Sequence, residues 1–242
     1  MIFTFTDFGL AGPYLGQVKA VLWRQAPGVP VFDLFADAPD RMPFQSAYLL
    51  AAYAGSLPPG ALILGVVDPG VGGERPPVAL RLDGRWFVGP GNGLFEIAAR
   101  RAAKVETYRI RDIPMGISAT FHGRDLFAPV LGKLAAGMTP RAAGLKDADI
   151  PRWPEWPDDL AQIVYCDIYG NLMTGLRARE VSESALLRLN GQIFRKASHF
   201  SEVETGAGLW YVNANGLVEI AINSGRAIDI CGAAIGAKVE II

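Results

Sequence analysis

Ala61-Leu62-Ile63-Leu64-Gly65-Val66-Val67-Asp68-Pro69-Gly70-Val71-Gly72-Gly73-Glu74-Arg75 is the stretch whose reading decides the fold. The apolar run 61–67 has strand length and ends in Gly and Pro, so it reads as a buried strand. A carboxylate, a glycine-rich loop and an arginine follow at its C-terminal end. Open α/β sheets bind ligands outside the carboxyl ends of their strands. Glycine lets backbone approach a ligand closely, and Pro69 stiffens the exit from the strand. A tight strand-to-loop turn carrying solvated charges is the competing reading, and the flanking sequence decides between them.

On the N-terminal side, residues 2–6 read as a strand that ends at Thr6-Asp7-Phe8-Gly9. Residues 13–25 carry Leu15, Val18, Val21 and Leu22 at helical spacing, behind a proline placed where a helix tolerates it. Residues 29–35 read as a strand and 45–54 as a helix. On the C-terminal side, Asp83-Gly84 between two apolar runs is a hairpin signal. A helix over 92–103, a strand over 105–110 and a helix over 124–136 complete this half. The alternation predicts an α/β N-terminal domain over 1–148, with a mostly parallel sheet and Rossmann-like layers.

Composition then shifts. Residues 149–158 hold three prolines and two tryptophans, and 149–160 reads as a stiff linker whose tryptophans pack on a domain. Helical periodicity mostly disappears beyond it. Residues 162–166, the Asn190-Gly191 hairpin, the run 209–222 broken at Asn213-Ala214-Asn215-Gly216, and 238–242 predict a small antiparallel β-barrel over 161–242.

The chain has 242 residues and is 50% hydrophobic, enough for a sizeable core. A net charge of −1 and the lack of any Lys/Arg run argue against a nucleic-acid surface. Cys166 and Cys231 sit in apolar settings and read as buried thiols in a reducing compartment. No secretory signal or membrane-length apolar run occurs, so the expectation is a soluble cytoplasmic protein.

Several polar residues end apolar runs: Asp7, Asp68 with Arg75, His122 with Arg124 and Asp125, and Asp167 with Asn171. An isolated Asp at a strand end is more often a cap or turn residue, and Asp125 reads as structural, complementing a helix dipole. His122, in a glycine-flanked loop at a helix start, is equally open to a functional and a structural role. Two His and two Cys without ligand spacing make no zinc site, and no phosphate loop or nucleophile elbow is present. The Gly89-Pro90-Gly91-Asn92-Gly93 run is compatible with a ligand cradle or with a turn and helix cap.

Taken together, Thr6-Asp7-Phe8-Gly9, Val67-Asp68-Pro69-Gly70-Val71-Gly72, Gly89-Pro90-Gly91-Asn92-Gly93-Leu94, Thr120-Phe121-His122-Gly123-Arg124-Asp125, Asp167-x-Tyr169-Gly170-Asn171 and Asn213-x-x-Gly216-x-x-Glu219-Ile220-Ala221 resemble the S-adenosyl-L-methionine (SAM) hydroxide adenosyltransferases. These adenosine-forming SAM hydrolases are related to the fluorinase and chlorinase. The resemblance covers nearly the whole chain. It implies a homotrimer with sites at subunit interfaces, SAM as substrate rather than cofactor, no cofactor or metal, and in-line attack of water or hydroxide at C5′ to give adenosine and L-methionine. It places Asp68, Arg75 and His122 around the nucleophile. It assigns Asp7 to the ribose hydroxyls, where a carboxylate can accept from both, with Phe8 beside it. Asp167 and Asn171 match positions that hold the methionine and adenine parts, Tyr169 and Phe200 would wall the adenine, and Ala214 and Asn215 would approach the ligand through backbone.

This chemistry needs no general acid, because a sulfonium leaves as a neutral thioether. It needs a water held in line, with Asp68 to accept its proton and Arg75 and His122 to orient it. The chain departs from the family pattern at Gly12, Gly91, Ala214 and Gly175, and lacks the usual His after Asp33. Gly12 and Ala214 fall at the methionine end and leave the Asp68, Arg75 and His122 set intact. A halide-using relative would carry a Tyr-Ser pair where His122-Gly123 stands, and Asp68 would repel a halide. The remaining rivals are a non-catalytic SAM or adenosine sensor and a metal-dependent hydrolase built on Asp7 and Asp68.

Overall fold

In a computed structural model describing residues 1–242, the first sheet holds β1 (Ile2–Thr6), β2 (Val31–Phe35), β3 (Leu62–Val66), β4 (Pro77–Leu82), β5 (Arg85–Pro90), β6 (Val105–Ile110) and β7 (Leu145–Asp147). Its order is β2-β1-β3-β5-β4-β6-β7. The pairings of β1 with β2, β1 with β3, and β3 with β5 are parallel. Those of β4 with β5, β4 with β6, and β6 with β7 are antiparallel. The expected mostly parallel sheet is therefore a mixed one. The Asp83-Gly84 turn, with φ of 47° and 84°, folds β4 back alongside β5, and every later pairing inherits the reversal.

One face of this sheet is covered by α1 (Tyr14–Gln25) and α4 (Ala128–Ala135). Val18 and Leu22 of α1 and Val130, Leu131 and Leu134 of α4 share a buried cluster with Ile2, Leu62, Leu64 and Val66. Each such side chain removed from water contributes about 1.5–3 kcal/mol. The helix expected over 92–103 is shorter: α3 covers Glu96–Arg101, following α2 (Pro43–Ala54) in chain order. Gly93, at φ 99°, and the Asn92 side chain, which accepts from the Leu94 N–H at 3.3 Å, hold residues 92–95 in a turn instead.

The second sheet contains β8 (Leu160–Cys166), β9 (Leu172–Arg177), β10 (Leu187–Leu189), β11 (Gln192–Lys196), β12 (Gly208–Val212), β13 (Leu217–Ile222) and β14 (Glu240–Ile241). It runs in the order β14-β10-β11-β12-β13-β9-β8. Lys238 bridges to Gln162 while Glu240 and Ile241 pair with β10, so the last residues nearly close the sheet into a barrel. The expected antiparallel pattern has one exception, the parallel pairing of β11 with β12. Parallel neighbours need a crossover rather than a hairpin, and residues 197–207 supply it. Trp210, Phe194, Val218 and Ile220 fill the interior, together with residues of α5 (Ala227–Cys231).

The contacts divide the chain into one unit of Met1–Ala51 with Leu57–Pro154 and a second of Ala52–Ser56 with Glu155–Ile242. Within the proline-rich segment, Arg152 is ion-paired to Glu96 at 2.7 Å, and the Trp153 carbonyl accepts from Arg100. No helix is long and apolar enough to cross a membrane.

Candidate active site

In the first unit, Thr6 and Val66 are register partners on adjacent parallel strands. Asp7 and Asp68 consequently leave the sheet at neighbouring carboxyl ends, the position that favours a ligand crevice. The exit of β3 is fixed by Asn92, whose Nδ2 donates to the Val67 carbonyl at 2.9 Å. Added Cβ atoms on Gly65 and Gly89 would meet the Phe95 ring at 2.6 and 3.0 Å. These glycines clear the space that lets residues 92–95 lie across the strand ends. In the loop after Asp68, Gly72 has a φ of +78°, and a Cβ there would lie 2.5 Å from the Ala119 carbonyl. Only glycine brings this loop against the segment that leads to His122.

Arg75 joins the three expected nucleophile-side residues. Its Nε donates to both Asp68 oxygens at 3.0 Å, and its Nη2 donates to Asp68 Oδ2 at 2.5 Å. The same Nη2 lies 2.9 Å from His122 Nδ1. A guanidinium has no acceptor, so His122 Nδ1 must present a lone pair and the ring proton sits on Nε2. Burial, reinforced by the Arg75 charge, holds His122 below the ordinary histidine value. The ring is therefore neutral, with a donor at Nε2 and no free basic nitrogen. The Asp68 and Arg75 side chains are 4% and 10% exposed, and the guanidinium carbon lies 5.2 Å from the centre of the buried Phe127 ring. Of about four lone-pair sites on a carboxylate, Arg75 takes up to three on Asp68 and leaves one for a water. His122 precedes a π-turn, Gly123–Phe127, that runs directly into α4. Such wide turns often mark functional positions.

Asp7 is half-buried, and its Oδ2 accepts from the Arg41 N–H at 3.0 Å. Burial pushes its carboxyl up, and the charges of Asp40 and Asp68 add to the rise. Phe8 is committed to packing: its ring centre lies 6.0 Å from that of Tyr14 and 5.8 Å from that of Phe121. Asp125 has the structural role expected of it, taking Arg124 Nε at 2.6 Å and the Ser118 N–H at 2.9 Å.

In the second unit, a cleft of about 600 Å³ is bordered by Tyr169, Asn171 and Phe200, together with Ile222 and Arg226. Asp167 spends most of its carboxylate on its own loop. Oδ1 accepts from the Tyr169 and Asn171 N–H groups at 2.9 and 2.8 Å, and Oδ2 from Asn171 Nδ2 at 3.1 Å. These bonds hold the turn. Ala214 and Asn215 lie at the tip between β12 and β13, where Asn213 Oδ1 takes the Asn215 and Leu217 N–H groups, each at 3.0 Å.

One member of this region was not singled out from the sequence. Glu219 is 3% exposed. It accepts from the Tyr211 hydroxyl, and from Asn213 Nδ2 at 2.9 Å. Burial is the main force raising its carboxyl above the ordinary value. The signal was a lone acid within the apolar run Leu217-Val218-Glu219-Ile220-Ala221-Ile222.

Comparison with known proteins bears on both units. Residues 2–144 match the family model of the SAM hydroxide adenosyltransferase N-terminal domain, and residues 161–240 that of its C-terminal domain. A Thermus thermophilus protein named (R)-S-adenosyl-L-methionine hydrolase is 37% identical, with 100% of this chain and 99% of the relative covered. A Salinispora tropica protein of the same name is 34% identical, covering 98% and 95%. An uncharacterized conserved protein from Thermotoga maritima has a solved structure that superimposes with a TM-score of 0.88 at 27% identity, covering 100% of this chain and 99% of that one. A conserved hypothetical protein from Thermus thermophilus gives 0.79 at 32% identity, with the same coverage.

Proposed function

The chain belongs to the SAM hydroxide adenosyltransferase family, and from that premise we propose that it hydrolyses SAM to adenosine and L-methionine. The observation that carries this reading is the hydrogen-bonded set of Asp68, Arg75 and His122 at the sheet's carboxyl edge. Water attacks C5′, the C5′–S bond breaks with its electron pair passing to sulfur, and one water proton is released. The substrate's positive charge is thereby lost as a solvent proton. Asp68 accepts a hydrogen bond from the water, and Arg75 fixes the orientation of the Asp68 carboxylate. His122 offers its Nε2–H to orient the same oxygen. The negative charges of Asp7 and Asp68 attract the sulfonium, and Asp7 takes the ribose hydroxyls.

The relatives' names specify the (R) sulfonium epimer, and that epimer is the substrate proposed here. Adenine lies against Tyr169 and Phe200, Asn171 and the Ala214-Asn215 tip bind the substrate's polar parts, and the working form is a homotrimer in the cytoplasm. No metal or cofactor takes part, so EDTA leaves the rate unchanged.

Turnover of an (R)/(S)-SAM mixture in ¹⁸O-water, with product masses read for the native protein and Asp68→Ala, tests the reading. The expected result is label in the adenosine 5′-hydroxyl, selective loss of the (R) epimer and no product from the variant. Tight binding of SAM or adenosine without any product would overturn hydrolysis in favour of a sensor.

A further inference from the structure

We infer that Glu219 is the positioning residue of the adenosine-binding rim, a single buried carboxylate that fixes two ligand-facing loops at once. The inference rests on the SAM-hydrolase reading and concerns a residue that touches no reacting atom.

The geometry requires an acceptor at this position. Asn213 Oδ1 is committed to the Asn215 and Leu217 N–H groups, so its amide cannot flip and its Nδ2 must find an acceptor elsewhere. Glu219 supplies one at 2.9 Å. The Tyr211 hydroxyl is the second donor, and the Tyr211 ring lies 5.4 Å from that of Phe200. Through these two donors Glu219 ties together the Asn213–Leu217 tip and, by way of Tyr211, the Phe200 ring.

The fold makes Glu219 unusual for its strand. Val218, Ile220 and Ile222 point into the barrel cluster, whereas Ala221 packs in a separate small cluster with Leu209 and Tyr211. Strand alternation puts Glu219 on that second face, opposite Tyr211 on β12 and Met173 on β9. Nothing in barrel packing calls for an acid there, and an apolar residue would serve a purely structural face at lower desolvation cost.

The test is adenosine binding by calorimetry, with affinity and stoichiometry read separately, alongside KM and kcat for SAM. Glu219→Ala should weaken adenosine binding and raise KM by about tenfold or more, the effect of losing hydrogen bonds to a charged group. kcat should stay within about threefold, because the residue lies away from the reacting atoms. Glu219→Gln, which keeps one acceptor oxygen, should recover most of the affinity. Tyr211→Phe removes one donor, keeps the ring, and should cost about threefold. It carries the test should Glu219→Ala fail to fold. A merely structural acid would lower the binding stoichiometry and leave the affinity of folded molecules unchanged, and that result overturns the inference. Native protein that binds adenosine equally well to Glu219→Gln and Tyr211→Phe also overturns it, and leaves the hydrolase reading standing. Native protein that neither binds adenosine nor turns over SAM sinks both.

Discussion

Two buried carboxylates, one in each unit, are solvated by the protein in opposite ways. Asp68 lies against a guanidinium that also reaches His122, so its cluster is closed by a cation. Glu219 has only neutral donors, Tyr211 and Asn213, and feels the charge of Asp167 besides. An ion pair neutralises a buried carboxylate's charge and fixes its orientation. A carboxylate held by neutral donors depends on every one of them, because the buried charge has no compensating partner. The first arrangement suits a group that must be aimed at a cationic substrate, and the second suits one that aligns loops.

The sharpest way to break the contrast is to remove the guanidinium while keeping the charge. Arg75→Lys offers a point charge that cannot engage both Asp68 oxygens and His122 Nδ1 together. With its lone pair unclaimed, His122 is free to change tautomer, and Asp68 is free to rotate. SAM turnover should fall by about 10²–10³-fold, the range of a misplaced acid–base set, with adenosine affinity little changed. A loss of affinity with kcat preserved would place Arg75 in binding rather than in water orientation.

A third buried acid sharpens the contrast, because it has the cations and none of the chemistry. Glu96 is 2% exposed at its side chain and bonded to Arg100 and Arg152 at 2.9 and 2.7 Å. Burial alone would push its carboxyl up, but the hydrogen bonds from Arg152 and Arg100 prevail and hold it below the ordinary value. Glu96→Gln should cost about 3 kcal/mol of stability, moderated because Arg152 is half exposed. A depressed carboxyl contributes stability above its unfolded-state value and loses it as pH falls through the folded value. The variant's thermal midpoint should therefore lie well below that of the native protein at pH 7 and converge on it in acid. SAM turnover per folded molecule should be unchanged, and a fall in it would mean that charge pairing here reaches the site.

The sequence carried these three acids unequally. Asp68 was legible because a strand, a carboxylate and a glycine-rich loop adjoin in sequence, and Arg75 lies only seven residues on. His122 was legible through its glycine-flanked loop, yet its link to Arg75 spans 47 residues, and only the fold closes that distance. Glu219 stood inside a quoted motif without a role, because its donors Tyr211 and Asn213 come from the end of the neighbouring strand, and only the hairpin pairing brings them to it. The mixed sheet was half visible: Asp83-Gly84 announced a hairpin, but alternation of helix and strand elsewhere outweighed it. The turn over 92–95 resembled a helix start because Leu94, Phe95 and Ile97 are apolar, and the need to cross strand ends at Gly65 and Gly89 is a tertiary requirement with no local signature.

The finest test of the contrast is the response to acid, where the two clusters should fail separately. His122 faces Arg75, Asp68 and Asp125, and burial with the Arg75 charge keeps its protonation below the ordinary histidine value. Protonation would place a hydrogen where Arg75 already donates, so kcat should hold down to that lowered value and fall beneath it. Glu219 faces Asp167, Tyr211 and, at longer range, Tyr53. Burial raises it above the usual carboxylate value, so it takes up a proton earlier on acidification than a free glutamate would. A protonated Glu219 keeps its shape and loses its charge, which is the state that Glu219→Gln imitates at every pH. Adenosine affinity of the native protein should drop by about threefold as Glu219 protonates, descending from its own plateau to that of the variant, whose affinity should not change over the same range. Calorimetric titrations across that range measure the step directly. A step of equal size in Glu219→Gln would assign the acid sensitivity to a group other than Glu219, such as Asp7, and would remove the cation-free carboxylate as the element that distinguishes the two units.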